Sequence, residues 1–211
     1  LAHEGVLFLD EFPEFSRTAL EALRQPLETK TVTITRSTGT TQYPANCMLI
    51  AASNPCQCGY WGSDKPCRCT PRERQRYFNK LSGPLLDRID LHVRVGSVNH
   101  RQLAAKTQRQ EFSKNILNRV MAARKRQQAR LAQSTFQTNG DLDGTQTKKL
   151  CKLNTAAKEI LISAGEKLGL SARGHFKVIK VAQTIADLAE QPIIATEHIT
   201  EALQYRPERA S

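Results

Sequence analysis

Apolar residues first gather at Val6-Leu7-Phe8-Leu9, an unbroken run bounded by Gly5 on one side and by Asp10 and Glu11 on the other. A short continuous run of this kind predicts a strand over 5–10, buried on both faces. Ser16 is placed to cap a helix through Arg24, with Leu20 and Leu23 on one face and Pro26 ending it. β-Branched alternation on either side of Arg36-Ser37-Thr38-Gly39 predicts a hairpin over 31–43. A second apolar run, CMLIAASNP at 47–55, predicts another buried strand that ends in small and polar residues.

The next stretch, LSGPLLDRIDLHVRV at 81–95, reads as a turn at Gly83-Pro84, a short helix and a further strand. Helical spacing resumes over 99–132, amphipathic and very basic, and the polar stretch 133–149 reads as a linker. Three helices are predicted after it. Thr155 caps the first, with Ile160, Leu161, Ala164 and Leu168 at helical spacing, and Ser171 caps the second, with Val178, Val181, Ile185 and Leu188. Ile199, Ala202 and Leu203 mark the third. The expected organisation is a partial α/β core over 1–98, a basic helical connection over 99–132 and a helical domain over 133–211.

Composition narrows the class. At 211 residues, with 39% hydrophobic and 24% charged residues, the chain suits a globular protein of one or two domains. No run approaches the roughly 18 apolar residues of a membrane span, and no signal peptide is visible, so a cytoplasmic protein without a membrane partner is expected. The chain opens Leu-Ala-His rather than with Met, and is read as part of something longer. Of the net charge of +11, residues 99–130 supply +8, with nine Lys or Arg against the single acid Glu111. Such concentration suits either a polyanion partner or a solvated basic helix face. Arg119, Arg124, Lys125, Arg126 and Arg130 are the candidate phosphate contacts.

Chemistry enters where strands end. An Asp closing a central strand can hold Mg²⁺ beside nucleotide phosphates while the acid after it orients or deprotonates water, which makes Asp10 and Glu11 a Walker B pattern. Acids also close strands merely because the chain re-enters solvent. Asn54 closes the next apolar run, where an amide can hold a water or simply form an Asx turn beside Pro55. Arg88 suits a phosphate contact across a subunit boundary, or a salt bridge with Asp87 or Asp90. Arg173 stands at a predicted helix start, where the dipole disfavours a cation and an anionic ligand would account for it.

Cys56, Cys58, Cys67 and Cys69 form C-x-C-x8-C-x-C within fourteen residues. Four thiolates on a Gly-containing loop suit a tetrahedral Zn²⁺ site, with a disulfide pair or free thiols as the alternatives. Tyr60 and Trp61 between them either stack on bases or pack on the cysteines. Cys47 and Cys151 have apolar neighbours and read as core residues.

Taken in order, GVLFLDEFPEF, LEALRQPLE, AASNPCQCGYWG, LSGPLLDRIDLHV and LSARGHFKVIKVAQTIADL resemble the competence protein ComM family, AAA+ ATPases related to the ATPase subunit of magnesium chelatase. The resemblance covers essentially the whole chain. It implies the C-terminal part of a P-loop AAA+ core with a predominantly parallel sheet, followed by an α-helical lid domain. Asp10 and Glu11 then match Walker B, Asn54 sensor 1, Arg88 the arginine finger and Arg173 sensor 2. The hairpin resembles a pore-facing insert that brings Arg36 to a threaded strand. ATP and Mg²⁺ are the implied cofactors. A hexameric homo-oligomer acting on single-stranded or branched DNA is the implied assembly, a helicase or branch-migration motor in recombination during natural transformation. A chelatase-type chaperone that remodels a protein is the alternative, and a zinc-stabilised binding module without enzymatic activity is another. One departure is marked: none of the eleven glycines precedes a lysine, so no Gly-x4-Gly-Lys phosphate cradle occurs and these residues alone are not expected to hydrolyse ATP.

Overall fold

The computed structural model describes residues 2–96 and 111–207, and these divide into two compact units. The first holds the described residues up to Ile89 with Val95 and Gly96; the second holds Asp90–Arg94 and the described residues from 111 onward.

In the first unit, β1 (Val6–Leu9) runs parallel to β4 (Met48–Ala51), in the register Val6–Met48, Leu7–Leu49, Phe8–Ile50 and Leu9–Ala51. Between them lie a 3₁₀ turn (Phe12–Glu14), α1 (Arg17–Ala22), α2 (Arg24–Thr29) and an antiparallel hairpin of β2 (Thr31–Arg36) and β3 (Gly39–Pro44). Ser16 caps α1 as expected, accepting from the Ala19 amide at 3.2 Å. Pro26 does not end the helical stretch: it falls in the first turn of α2, where its missing N–H would have had no intrahelical partner. The hairpin turns at Ser37-Thr38, with Arg36 opposite Gly39 at its tip. Among the described residues the sheets are thus one parallel and one antiparallel pair, so parallel pairing does not predominate.

Both apolar runs are strands, but neither is buried on both faces. Val6 (56% exposed), Phe8 (59%), Met48 (60%) and Ile50 (44%) share one uncovered face of the β1–β4 pair. On the helical side, Leu9 packs against buried Phe12, Leu20 and Leu85 together with Leu23, Leu27, Leu81 and Ile89. After β4 an irregular cysteine loop leads to α3 (Pro71–Phe78), whose Thr70–Glu73 capping box is complete, and then to α4 (Gly83–Leu86). The strand expected near Leu91–Val95 is not formed, and Val93 and Val95 are exposed.

The second unit is helical: α5 (Ser113–Leu131), α6 (Gly144–Leu150), α7 (Thr155–Leu168), α8 (Ala172–Leu188) and α9 (Thr196–Gln204). The expected helix over 99–132 lies partly outside the described residues, and its described part begins at Ser113. The expected linker over 133–149 is structured instead. Asn139 and Leu142 are buried, Thr138 and Asp141 close a 3₁₀ turn, and Asp143 caps α6. Asn154 rather than Thr155 caps α7, accepting from the Ala157 amide at 2.8 Å, while Ser171 caps α8 as expected.

Leu131, Leu142, Cys151, Leu161, Val178, Ile179, Ile194 and Ile199 belong to its apolar core. Beside that core, Arg130 grips buried Asp187 with both guanidinium nitrogens, at 2.7 and 2.6 Å, and Asn139 bridges the two residues. No helix among the described residues is long and apolar enough to cross a membrane.

Candidate functional site

The end of β1 is built for display. The Ala52 amide donates to the Leu9 carbonyl at 2.9 Å, and the Phe12 amide donates to the Ala52 carbonyl at 2.8 Å, so the two strands stay laced just past their last paired residues. Phe12 and Pro13 are buried immediately afterwards. Asp10 and Glu11 therefore leave the sheet on a short bend held at both ends, with both side chains exposed.

Glu11 occupies the left-handed region, at φ 50° and ψ 42°, which is unfavourable for a residue with a side chain. The Asp10 carboxylate accepts from the Glu11 amide at 2.8 Å and braces the bend. Three residues past the last residue of β4, Asn54 is exposed at the same carboxyl edge of the parallel pair. Two carboxylates and an amide at the ends of adjacent parallel strands are hard oxygen donors suited to Mg²⁺ and water.

Tyr77 of α3 lies beneath this edge and is missed by pattern reading. It is buried, the Asn54 backbone amide reaches its hydroxyl, and burial followed by the charges of Glu14, Cys56 and Glu11 raises its pKa. An isolated Tyr in a basic helix gives no signal of such a placement.

Arg88 also lies in the first unit, and its guanidinium is occupied. One nitrogen donates to the Pro84 carbonyl at 2.6 Å and another pairs with Glu28 of α2. The partner is thus Glu28 rather than the neighbours Asp87 or Asp90. Asp90 meets Lys177 at 2.7 Å.

The cysteine cluster assembles as its spacing suggests. The Sγ atoms of Cys56, Cys58, Cys67 and Cys69 all lie within 4.8 Å of one another. Backbone amides of Tyr60 and then Arg68 point at Cys58 and lower its pKa to about 6. Trp61 and Tyr60 do not pack into the knot; both are exposed, Trp61 beneath Arg74 and edge-on to Phe78, Tyr60 beneath Lys65. Cys151 is a core residue and Cys47 is half-buried.

The remaining candidates divide. Arg173 is exposed in the first turn of α8. Arg36 is exposed at the hairpin tip. Along α5, Arg119, Arg124 and Lys125 are exposed, Arg119 pairing with Glu111 at 2.8 Å. Arg126 and Arg130 face inward instead: Arg126 pairs with Glu190 at 2.8 Å, and Arg130 is committed to Asp187. The helical period sets this division, since α5 turns these two positions toward α8.

Residues 1–103 match the family model described as magnesium chelatase, subunit ChlI, and residues 110–206 match the model of that subunit's C-terminal part. Among curated proteins, the chain is 41% identical to the uncharacterized protein YifB of Escherichia coli, and 40% identical to competence protein ComM of Haemophilus influenzae. It is 37% identical to the uncharacterized protein Rv2897c of Mycobacterium tuberculosis. These alignments cover 97–98% of this chain and 40% of each relative, so the chain spans about two fifths of their length.

Proposed function

The chain belongs to the competence protein ComM group of the magnesium-chelatase subunit ChlI family, and from that premise we propose that it carries the water-activating half of the nucleotide site of a DNA-remodelling AAA+ ATPase. The observation that carries this reading is the pinned end of β1: a left-handed Glu11, braced by Asp10, beside Asn54 at one edge of a parallel strand pair. Glu4, Lys30 and Glu190 share the left-handed region, so it is the strand-end setting beside Asp10 and Asn54, and not the conformation alone, that suits Glu11 to chemistry.

In this reading Asp10 helps hold Mg²⁺, whose charge supports the nucleotide phosphates. Glu11 orients the attacking water and accepts its proton, and Asn54 donates to that water or to the terminal phosphate. The phosphate cradle comes from outside these 211 residues. The apolar face of Val6, Phe8, Met48 and Ile50 is exposed among the described residues and suits further elements of the same core. Arg88 exchanges Glu28 for a neighbouring subunit's phosphate in a hexameric ring, and Arg173 in the helical lid contacts the nucleotide. Arg36 on the hairpin and the exposed cations of α5 supply contacts to the DNA backbone.

Branch migration in recombination is the work this assembly would perform. Exposed Arg119, Arg124 and Lys125 favour DNA over a protein client. The test is ATP hydrolysis by the full-length protein with and without branched DNA. DNA should stimulate turnover, and Asn54→Ala should cut it at least tenfold while nucleotide still binds. A rate indifferent to DNA contradicts the substrate assignment; an unimpaired Asn54→Ala contradicts the site.

A further inference from the structure

The loop between β4 and α3 holds four thiols together, and none of the four belongs to the apolar cluster of either unit. Cys56 is wholly buried, while Cys58, Cys67 and Cys69 are half-buried in a stretch without regular structure. Sulfur separations are 3.4 Å for Cys56–Cys58, 3.7 Å for Cys56–Cys67 and 3.6 Å for Cys58–Cys67. A disulfide would bring a pair to about 2.05 Å. A tetrahedral Zn²⁺ with bonds of about 2.3 Å sets its sulfurs about 3.8 Å apart. These three spacings agree with the second geometry.

The surroundings agree as well. Gly59, at φ +80°, lets the chain turn between the first two cysteines and its partner half, and its amide donates to the Cys56 carbonyl at 3.0 Å. The amides of Tyr60 and Arg68 point at the Cys58 sulfur, the outer support that metal-bound thiolates use, and Arg74 of α3 donates to the Cys69 carbonyl at 2.9 Å, tying the second half of the loop to that helix. A tetrathiolate with Zn²⁺ carries two negative charges; Lys65, Arg68, Arg72, Arg74 and Arg76 outnumber Asp64 and Glu73 around it.

We propose that Cys56, Cys58, Cys67 and Cys69 bind one Zn²⁺ in a closed structural site that fixes the loop after β4, and with it the placement of Asn54. Cys56 lies two residues from Asn54, and Tyr77 touches the environment of both. Metal binding supplies ordering that fourteen irregular residues otherwise lack. The zinc site stands without the ATPase reading; only the importance of placing Asn54 rests on it.

Trp61, the one tryptophan of the chain, sits between the cysteine pairs and reports on the loop directly. The purified chain should contain about one zinc per molecule. Release by a thiol-reactive mercurial should shift Trp61 emission to the red, and added Zn²⁺ after thiol regeneration should restore it. Replacement by Co²⁺ should give the visible bands of a tetrahedral tetrathiolate. Cys58→Ser should lower zinc content at least tenfold, and Cys47→Ser should leave it unchanged. A folded, zinc-free chain, disulfides among these four cysteines, or Co²⁺ bands of octahedral type would each overturn the proposal. The Co²⁺ spectrum of the unsubstituted chain decides the matter even where Cys58→Ser fails to fold.

Discussion

Glu11 concentrates the argument in a single backbone conformation. A left-handed non-glycine residue costs about 1–2 kcal/mol, more for β-branched side chains. Burial of Phe12 and Pro13 and the Phe12–Ala52 hydrogen bond hold it there. Glu11→Val should therefore destabilise the chain by about 1–2 kcal/mol relative to Glu11→Gly, read as a difference in denaturation midpoint at constant slope. Equal stabilities would mean that the bend is relaxed. Neither the strain nor the placing of Tyr77 was legible in the sequence, because the first depends on Phe12 meeting Ala52, 40 residues on, and the second on Tyr77 meeting Asn54, 23 residues back. That Asp10, Glu11 and Asn54 stand exposed just past strand ends was legible, because each comes within three residues of the end of an apolar run. Arg88 was legible as a candidate, but its partner Glu28 lies 60 residues away and no spacing rule connects them.

Local chemistry made some elements readable and misled on others. Ser16, Ser171 and the Arg36–Gly39 turn act within a few residues of themselves, and they form as expected. The runs at Val6–Leu9 and Met48–Ala51 do form strands, yet their apolar faces stay exposed, since a strand's own sequence does not supply its cover. The polar stretch 133–149 failed as a linker for a different reason. Its Asn139 is the third member of a buried network with Arg130 and Asp187, so polarity there marks satisfied burial instead of solvent. Removing one partner of such a pair leaves a buried charge. Asp187→Ala should cost about 3–5 kcal/mol by urea unfolding, whereas the exposed-pair variant Glu111→Ala should cost under about 1 kcal/mol.

Across the molecule, charge and chemistry lie in different units. The acids, Asn54 and the cysteine loop belong to the first, and the basic helix and Arg173 to the second. If α5 contacts DNA through phosphates, replacing Arg119, Arg124 and Lys125 with Gln should lower the salt dependence of DNA affinity by about 0.7–0.9 in log–log slope per residue. Arg130→Gln should act through stability instead. An unchanged slope in the triple variant would assign those cations to a solvated surface.

Water activation by Glu11 is tested by ATP turnover of the full-length protein carrying Glu11→Gln, measured beside its nucleotide affinity. Affinity should stay within a few-fold of the unsubstituted protein while hydrolysis falls at least a hundredfold. Turnover that survives the substitution would contradict that role.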